Sequence, residues 1–181
     1  RAATSLINRH GYHGASVDKI SAAVGTTKGG FYHHMGSKDA MILACFDRSL
    51  AIMRESLISA EAISKDGYQA LATMAAHMVL LQLDDGKALL RMSALTTLPE
   101  NLQAIVINKY QQIVHLLSSI ISDGITDGSI RRVDATLAAQ MILGMINSAD
   151  ELRTFVPDIT EEDARSLYVK PCFTGLFRET A

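Results

Sequence analysis

With 181 residues, 48% hydrophobic and 20% charged, the chain can bury a real core as one compact unit or as a small domain joined to a larger one. No run approaches the roughly 18 uninterrupted apolar residues of a membrane span, and no signal-peptide pattern is visible, so a cytoplasmic protein with no membrane partner is expected. The first residue is not Met and the chain reads as beginning inside a helix, so further residues are expected ahead of it.

The net charge of −2 conceals an asymmetry. Residues 1–48 carry six Lys/Arg against three Asp, a net +3 that leaves −5 for the remainder, and four of the six histidines fall in the same stretch. A small positive head on an acidic body suits a polyanionic partner for the head. Cys45 and Cys172 are far apart, each in an apolar helical context, and read as buried small hydrophobes. A redox-sensing pair is the other reading.

Residues 1–10 read as the end of a helix stopped by Gly11. Ser16 is a good N-cap for a second helix, with Val17, Ile20 and Val24 at helical spacing and Gly25 as its stop. Thr26-Thr27 opens a third, through Phe31, Tyr32 and Met35 to Gly36. Ser37 caps a fourth that runs through Met41, Ile42, Cys45, Phe46 and Leu50 as far as Ile63, with Asp39 well placed in its first turn. The body reads as helical too: Gly67 to Leu83, a break at Asp84-Asp85-Gly86, Lys87 to Leu98, and a long amphipathic stretch over 100–123 after Pro99. A turn from Gly124 to Arg132 is expected, then a helix capped by Asp134 over 135–149, and a last helix opened by Thr160 and kinked at Pro171. No strand pattern exceeds four residues and there is no internal repeat, so the fold class is all-α. The expected domains are residues 1–48 as a helix-turn-helix head and 49–181 as a ligand-binding and dimerisation body.

Residues 16–38 carry the functional signal. A short helix, a tight glycine turn and a second short helix with a small polar start form a pair able to enter a major groove about 12 Å wide. Gly29 and Gly30 are poor helix formers, and they make sense where backbone must approach DNA closely. The spacing of Ile20, Ala23, Gly25, Lys28-Gly29, Phe31-Tyr32, His34 and Ser37-Lys38 resembles the DNA-binding head of the TetR family of bacterial repressors, over about residues 2–50. Two departures are Val24-Gly25-Thr26, where Ala-Gly-Val is usual, and Met35, where Phe is usual. The resemblance implies that Tyr32, His34 and Lys38 grip phosphates and that Ser16 contacts the DNA backbone from its helix N-terminus. It also turns Thr27, Lys28, Gly29 and His33 toward the groove, with Lys28 the candidate for a guanine contact.

Competing chemistries fare poorly. Gly25-Thr-Thr-Lys-Gly-Gly lacks the phosphate-loop spacing and no strand precedes it. His10 and His13 straddle a glycine stop, and neither they nor His33-His34 are completed by a Cys or acidic cluster, so no metal site is expected. No nucleophile–His–acid set stands out, so no catalytic residues, cofactor or enzyme activity are expected.

A head of this kind works as a homodimer on two half-sites. The resemblance puts pairing on the last two helices, whose apolar faces include Leu137, Met141, Met145, Leu167, Phe173, Thr174 and Phe177. The expected partners are thus operator double-stranded DNA, a second copy, and a small apolar or amphipathic effector. For the effector pocket, Met74, Met78, Met92, Met141 and Met145 supply adaptable walls, and His77, Tyr110 and Asn147 supply polar groups, with Arg91 and His115 as further candidates. A body that answers to redox or to a protein partner is the alternative.

Overall fold

The computed structural model describes residues 2–84 and 89–177, and all regular elements among them are helical. In chain order they are α1 (Ala2–Gly14), α2 (Val17–Val24), α3 (Lys28–Met35), α4 (Lys38–Ile63), α5 (Gly67–Leu83), a 3₁₀ segment (Met92–Thr97), α6 (Glu100–Asp127) and α7 (Ala135–Ser148). Short turns at Ala149–Glu151 and Leu152–Phe155 lead to a C-terminal helix built from Glu161–Asp163, Ala164–Val169 and Lys170–Phe177. The chain divides into two compact units, one of Arg1–Ala51 with Asp85–Tyr110 and the other of Ile52–Asp84 with Gln111–Ala181.

In the first unit, Ile7, Ile20, Phe31, Met41, Ile42 and Phe46 bury their side chains together with Leu90, Leu98, Leu102 and Val106. Each large side chain withdrawn from water in this way contributes roughly 1.5–3 kcal/mol before entropy is counted. The expected stop at Gly11 is present as a break within α1, at φ 64° and ψ −175°. Glycine is needed there twice over, because an added Cβ would also lie 3.0 Å from Thr97 Cγ2. The break frees the Tyr12 N–H, which donates to Thr97 Oγ1 at 2.9 Å.

The expected helix over 87–98 is helical only from Met92, as a 3₁₀ turn, while Asp85, Gly86 and Lys87 lie outside the described residues. Side chains satisfy the irregular backbone ahead of it. Asn8 Nδ2 donates to the Leu89 carbonyl at 2.8 Å, and its Oδ1 accepts from the Arg91 N–H at 3.0 Å. Ser49 Oγ accepts from the Leu90 N–H at 2.8 Å.

In the second unit, α5 buries nine residues, among them Leu71, Met74, Met78 and Val79, and packs against α7 and the C-terminal helix. The turn expected from Gly124 begins four residues later, at Gly128 with φ 82°, because α6 continues to Asp127. Gly124 serves packing instead of termination. A Cβ on Gly67 would lie 2.9 Å from Gly124 Cα, and a Cβ on Gly124 would lie 2.6 Å from Ile130 Cδ1.

Asp134 caps α7 by accepting from the Leu137 N–H at 2.8 Å. Thr160 and Asp163 form a capping box, and its hydrogen bonds hold the Asp163 carboxyl below the usual carboxylate range. The C-terminal helix runs on through Pro171. The preceding Ala164–Val169 winds as a π-helix, with the Lys170 N–H reaching Arg165 O, which accommodates a residue that lacks an N–H and crowds the preceding turn.

Candidate nucleic-acid interface

Two short capped helices and the turn between them build the site. Ser16 Oγ accepts from the Lys19 N–H at 3.3 Å and opens α2, and Gly25, at φ 73° and ψ 31°, closes it in the left-handed conformation. Thr27 Oγ1 accepts from the Gly30 N–H at 3.0 Å and opens α3. In α3 only Phe31 is buried, so this one side chain fixes which way the helix is turned.

With Phe31 pointing inward, a rotation of about 100° per residue sends Gly29 and His33 to the opposite, outward face. Lys28, Tyr32, His33 and His34 are exposed, Tyr32 at 46% although it is a large aromatic. The Tyr32 ring stands edge-on to Phe31 with centroids 5.5 Å apart, which ties an exposed aromatic to a buried one. His33 and His34 stack edge to face at 5.2 Å.

The expected groove-facing set Thr27, Lys28, Gly29 and His33 therefore shares one short helix and its cap with Tyr32 and His34. Thr27 is exposed while its hydroxyl serves as the cap, and Ser16 is half-buried with its hydroxyl committed likewise. The two glycines differ. A Cβ on Gly29 would meet nothing closer than Thr27 Oγ1 at 3.9 Å, leaving its outward face bare. A Cβ on Gly30 would lie 2.6 Å from Thr26 Oγ1, so Gly30 makes room for the turn between the helices.

Lys38 is more enclosed than a simple phosphate grip. Its ammonium donates to the Tyr12 carbonyl and sits 4.1 Å from the centroid of the Tyr12 ring, and burial lowers its pKa while Asp39 opposes the shift. Tyr12 in turn donates its phenol to Asp39 Oδ1 at 2.6 Å. This Tyr12–Lys38–Asp39 cluster fixes the start of α4 against α1. Sequence pattern gave no sign of it beyond an aromatic directly after the Gly11 stop. Asn8, Ser49 and Thr97 left no sign at all, since their partners are backbone groups or lie 41 to 85 positions away.

The effector candidates fall into two groups. Met74 and Met78 are fully buried in α5, Met145 and Asn147 are half-buried in α7, and Met141 is 50% exposed there. His77 is exposed on α5 with Nδ1 2.7 Å from Ser56 Oγ. These six belong to the second unit, whereas Met92 and Tyr110, both half-buried, belong to the first.

Of the expected pairing face, Leu137 is 65% and Leu167 72% exposed. Phe173 is fully buried instead, edge-on to Tyr68 at 6.0 Å, because the turn of the helix that carries it faces its own α5. The Phe177 side chain lies outside the described residues. Among the described residues no three His, Cys, Asp or Glu gather as a metal site, and no helix is long and apolar enough to cross a membrane.

Comparison with known proteins meets this geometry at the same place. Residues 1–45 match the model of bacterial regulatory proteins of the tetR family, and residues 66–151 match the tetracyclin repressor-like C-terminal domain. The chain belongs to the TetR family. This is a family of regulators, not of enzymes.

Among solved structures it is similar to AibR in complex with isovaleryl coenzyme A and operator DNA. The two are 27% identical over 97% of this chain and 94% of that one, with a TM-score of 0.77. FadR from Bacillus subtilis, solved with stearoyl-CoA, shares the fold at TM-score 0.76 and 21% identity, over 97% of this chain and 96% of that one. The Transposon Tn10 TetC protein of Escherichia coli is 33% identical over 89 residues, which are 49% of this chain and 45% of the relative. The HTH-type transcriptional repressor AcnR of Corynebacterium efficiens is 38% identical over 48 residues, 26% of each chain. The matched stretches thus span less than half the length of these curated relatives.

Proposed function

We propose that this TetR-family chain is a ligand-responsive transcriptional repressor that binds operator DNA as a homodimer and is released by a small apolar or amphipathic molecule. The observation that carries the reading is α3 itself, where Lys28, Tyr32 and His33 are exposed and Gly29 is bare on the outward face while Phe31 alone anchors the helix. Thr27, Lys28, Gly29 and His33 would face the groove, and Ser16, Tyr32 and His34 would meet the DNA backbone beside it. Lys38 would act by holding α4 to α1 as well as by its charge. Residues 1–48 would serve as the DNA-binding domain, and 49–181 as the effector and dimerisation domain.

Pairing through α7 and the C-terminal helix is supported by Leu137, Met141 and Leu167, large apolar side chains left in water. Gly144 and Gly175 lie on the same two helices with open space where a Cβ would be, which allows a second helix to approach closely.

For the effector, the resemblance to AibR with its isovaleryl coenzyme A makes acyl-CoA thioesters the first class to test. In the second unit Met74, Met78 and Met145 would supply adaptable wall, with His77 and Asn147 as polar candidates and Met141 shared with the pairing face; Met92 and Tyr110 are the candidates of the first unit. The ligand would shift the population toward a conformer that binds operator poorly, by a coupling of about 1–3 kcal/mol. A redox-driven body has less support, because burial pushes the Cys172 thiol up, away from the thiolate a sensor needs.

The test is binding of the full protein to the DNA upstream of its own coding region and to duplexes selected from a random pool, across a salt series. Tight, salt-sensitive, sequence-selective binding that Tyr32→Ala weakens roughly tenfold or more supports the reading. A folded dimer that binds no duplex at low salt would overturn it.

A further inference from the structure

Resting on the DNA-binding reading, we propose that Asp18 is a specificity-determining residue. It holds the Lys28 ammonium in the free protein and so withholds it from phosphates of any sequence until a matched base edge is presented.

Asp18 stands in the first turn of α2 and Lys28 at the first position of α3, so their pairing spans the two helices of the recognition unit. Lys28 Nζ lies 3.1 Å from Asp18 Oδ1 and 3.3 Å from Oδ2, a single ammonium shared by both carboxylate oxygens. Both side chains are more than half exposed, Lys28 at 57% and Asp18 at 69%, so DNA can reach the pair without any unfolding. The neighbouring cation is differently engaged, since Lys19 Nζ donates to the Gly14 carbonyl at 3.2 Å. Thr27 Oγ1 is occupied as the α3 cap, and Gly29 offers no side chain. Lys28 is the one Lys or Arg of α3, and its partner is a carboxylate.

Two consequences follow from that placement. An exposed ion pair is weak, worth at most about a fivefold change in an equilibrium, so it is easily given up at a site that offers more. A guanine edge offers two acceptors in fixed positions, whereas a stray phosphate on mismatched DNA offers charge alone, from which Asp18 already satisfies Lys28. The pair therefore suppresses binding to the wrong duplex more than to the right one, which is specificity obtained by repelling alternatives.

The experiment uses the full chain, a duplex selected by the wild type from a random pool, and a scrambled duplex of the same composition. Asp18→Asn keeps the side-chain shape and removes the charge. Its expected effect is about three- to fivefold tighter binding to the scrambled duplex, little change on the selected one, and a log–log salt slope steeper by about one on the scrambled duplex. In a Lys28→Ala background the same substitution should lose that effect. Unchanged affinity for the scrambled duplex, or equal tightening on both duplexes, overturns the proposal. So does an equal effect of Asp18→Asn with and without Lys28, which would make Asp18 a bare repulsive charge. Circular dichroism guards against loss of α2, and failure of the wild type to select any duplex removes the DNA-binding reading together with this one.

Discussion

α3 and α5 use their surfaces in opposite ways. α3 has eight residues and buries only Phe31, while α5 has seventeen and buries nine. The short helix is held by one anchor and two caps and leaves its polar side chains exposed to a partner. The long one is enclosed by its own unit and leaves little apolar surface in water. A recognition helix must remain largely unsatisfied by its own fold, whereas a core helix is defined by being satisfied.

The sharpest way to break that contrast is to remove one anchor from each helix. Phe31→Ala should cost about 3–5 kcal/mol and abolish DNA binding, since no other buried side chain orients α3. Met74→Ala should cost a similar or smaller amount, about 2–5 kcal/mol, with eight other buried residues still holding α5. Urea titration of each variant, with DNA binding measured under conditions where both remain folded, checks this. A Phe31→Ala protein that is folded and binds DNA normally would show that α3 is not the reading helix.

A flaw in the first unit sharpens the contrast further. Ser21, on α2, is only 3% exposed, and its hydroxyl has no hydrogen-bond partner among the described residues. Burying an unpaired hydroxyl costs about 1–3 kcal/mol, so Ser21→Ala should raise the thermal midpoint and leave DNA affinity unchanged. A fall in stability would mean that the hydroxyl has a partner after all.

The two glycines of α3 divide the effects more finely. Gly29→Ala adds a methyl to a bare outward face, so it should stabilise the helix by up to about 1 kcal/mol while weakening DNA binding. Gly30→Ala should gain little, because its methyl would sit 2.6 Å from Thr26 Oγ1 and 3.3 Å from the capping Thr27 Oγ1. Thermal melts paired with a binding isotherm separate the two. Equal behaviour of both variants would remove the close-approach argument for Gly29.

These residues also mark what the sequence could disclose. The helix-turn-helix was legible because its signals are local: Ser16 and Thr27 as caps, Gly25 as a stop, and Phe31 as the apolar residue among polar neighbours. Gly124 misled as a turn signal because its function depends on Gly67 and Ile130, contacts that spacing cannot reveal. Gly30 has a further use of the same kind, its small size leaving room for Thr26, a contact that spacing cannot reveal either. Phe173 looked like a pairing residue because helical periodicity shows an apolar face without showing what covers it. The methionines were visible as apolar positions, and Met74 and Met78 are fully buried.

The smallest expected effect concerns the cluster at the start of α4. The Tyr12 pKa is raised above its ordinary value of 10.0, first by its hydrogen bond to Asp39, then by burial and by the Asp39 charge. A raised folded-state pKa means that the protonated phenol is favoured in the native protein. That contribution to stability is therefore fully present below the unfolded value and is lost as pH rises through the higher folded one. The groups facing Tyr12 are Asp39, Lys38 above its ring, Thr97 at its N–H and the His13 ring 5.1 Å away. Lys38 also titrates at high pH, with its pKa lowered by burial, so the quantity to follow is the difference between wild type and Tyr12→Phe, both of which keep Lys38. The urea midpoints of the two should be separated at neutral pH and should converge above about pH 10 as the wild-type phenol ionises beside Asp39. A separation that stays constant with pH would mean that Tyr12 packs α1 onto α4 through its ring alone, with the phenol–carboxylate bond contributing nothing to how the head is held.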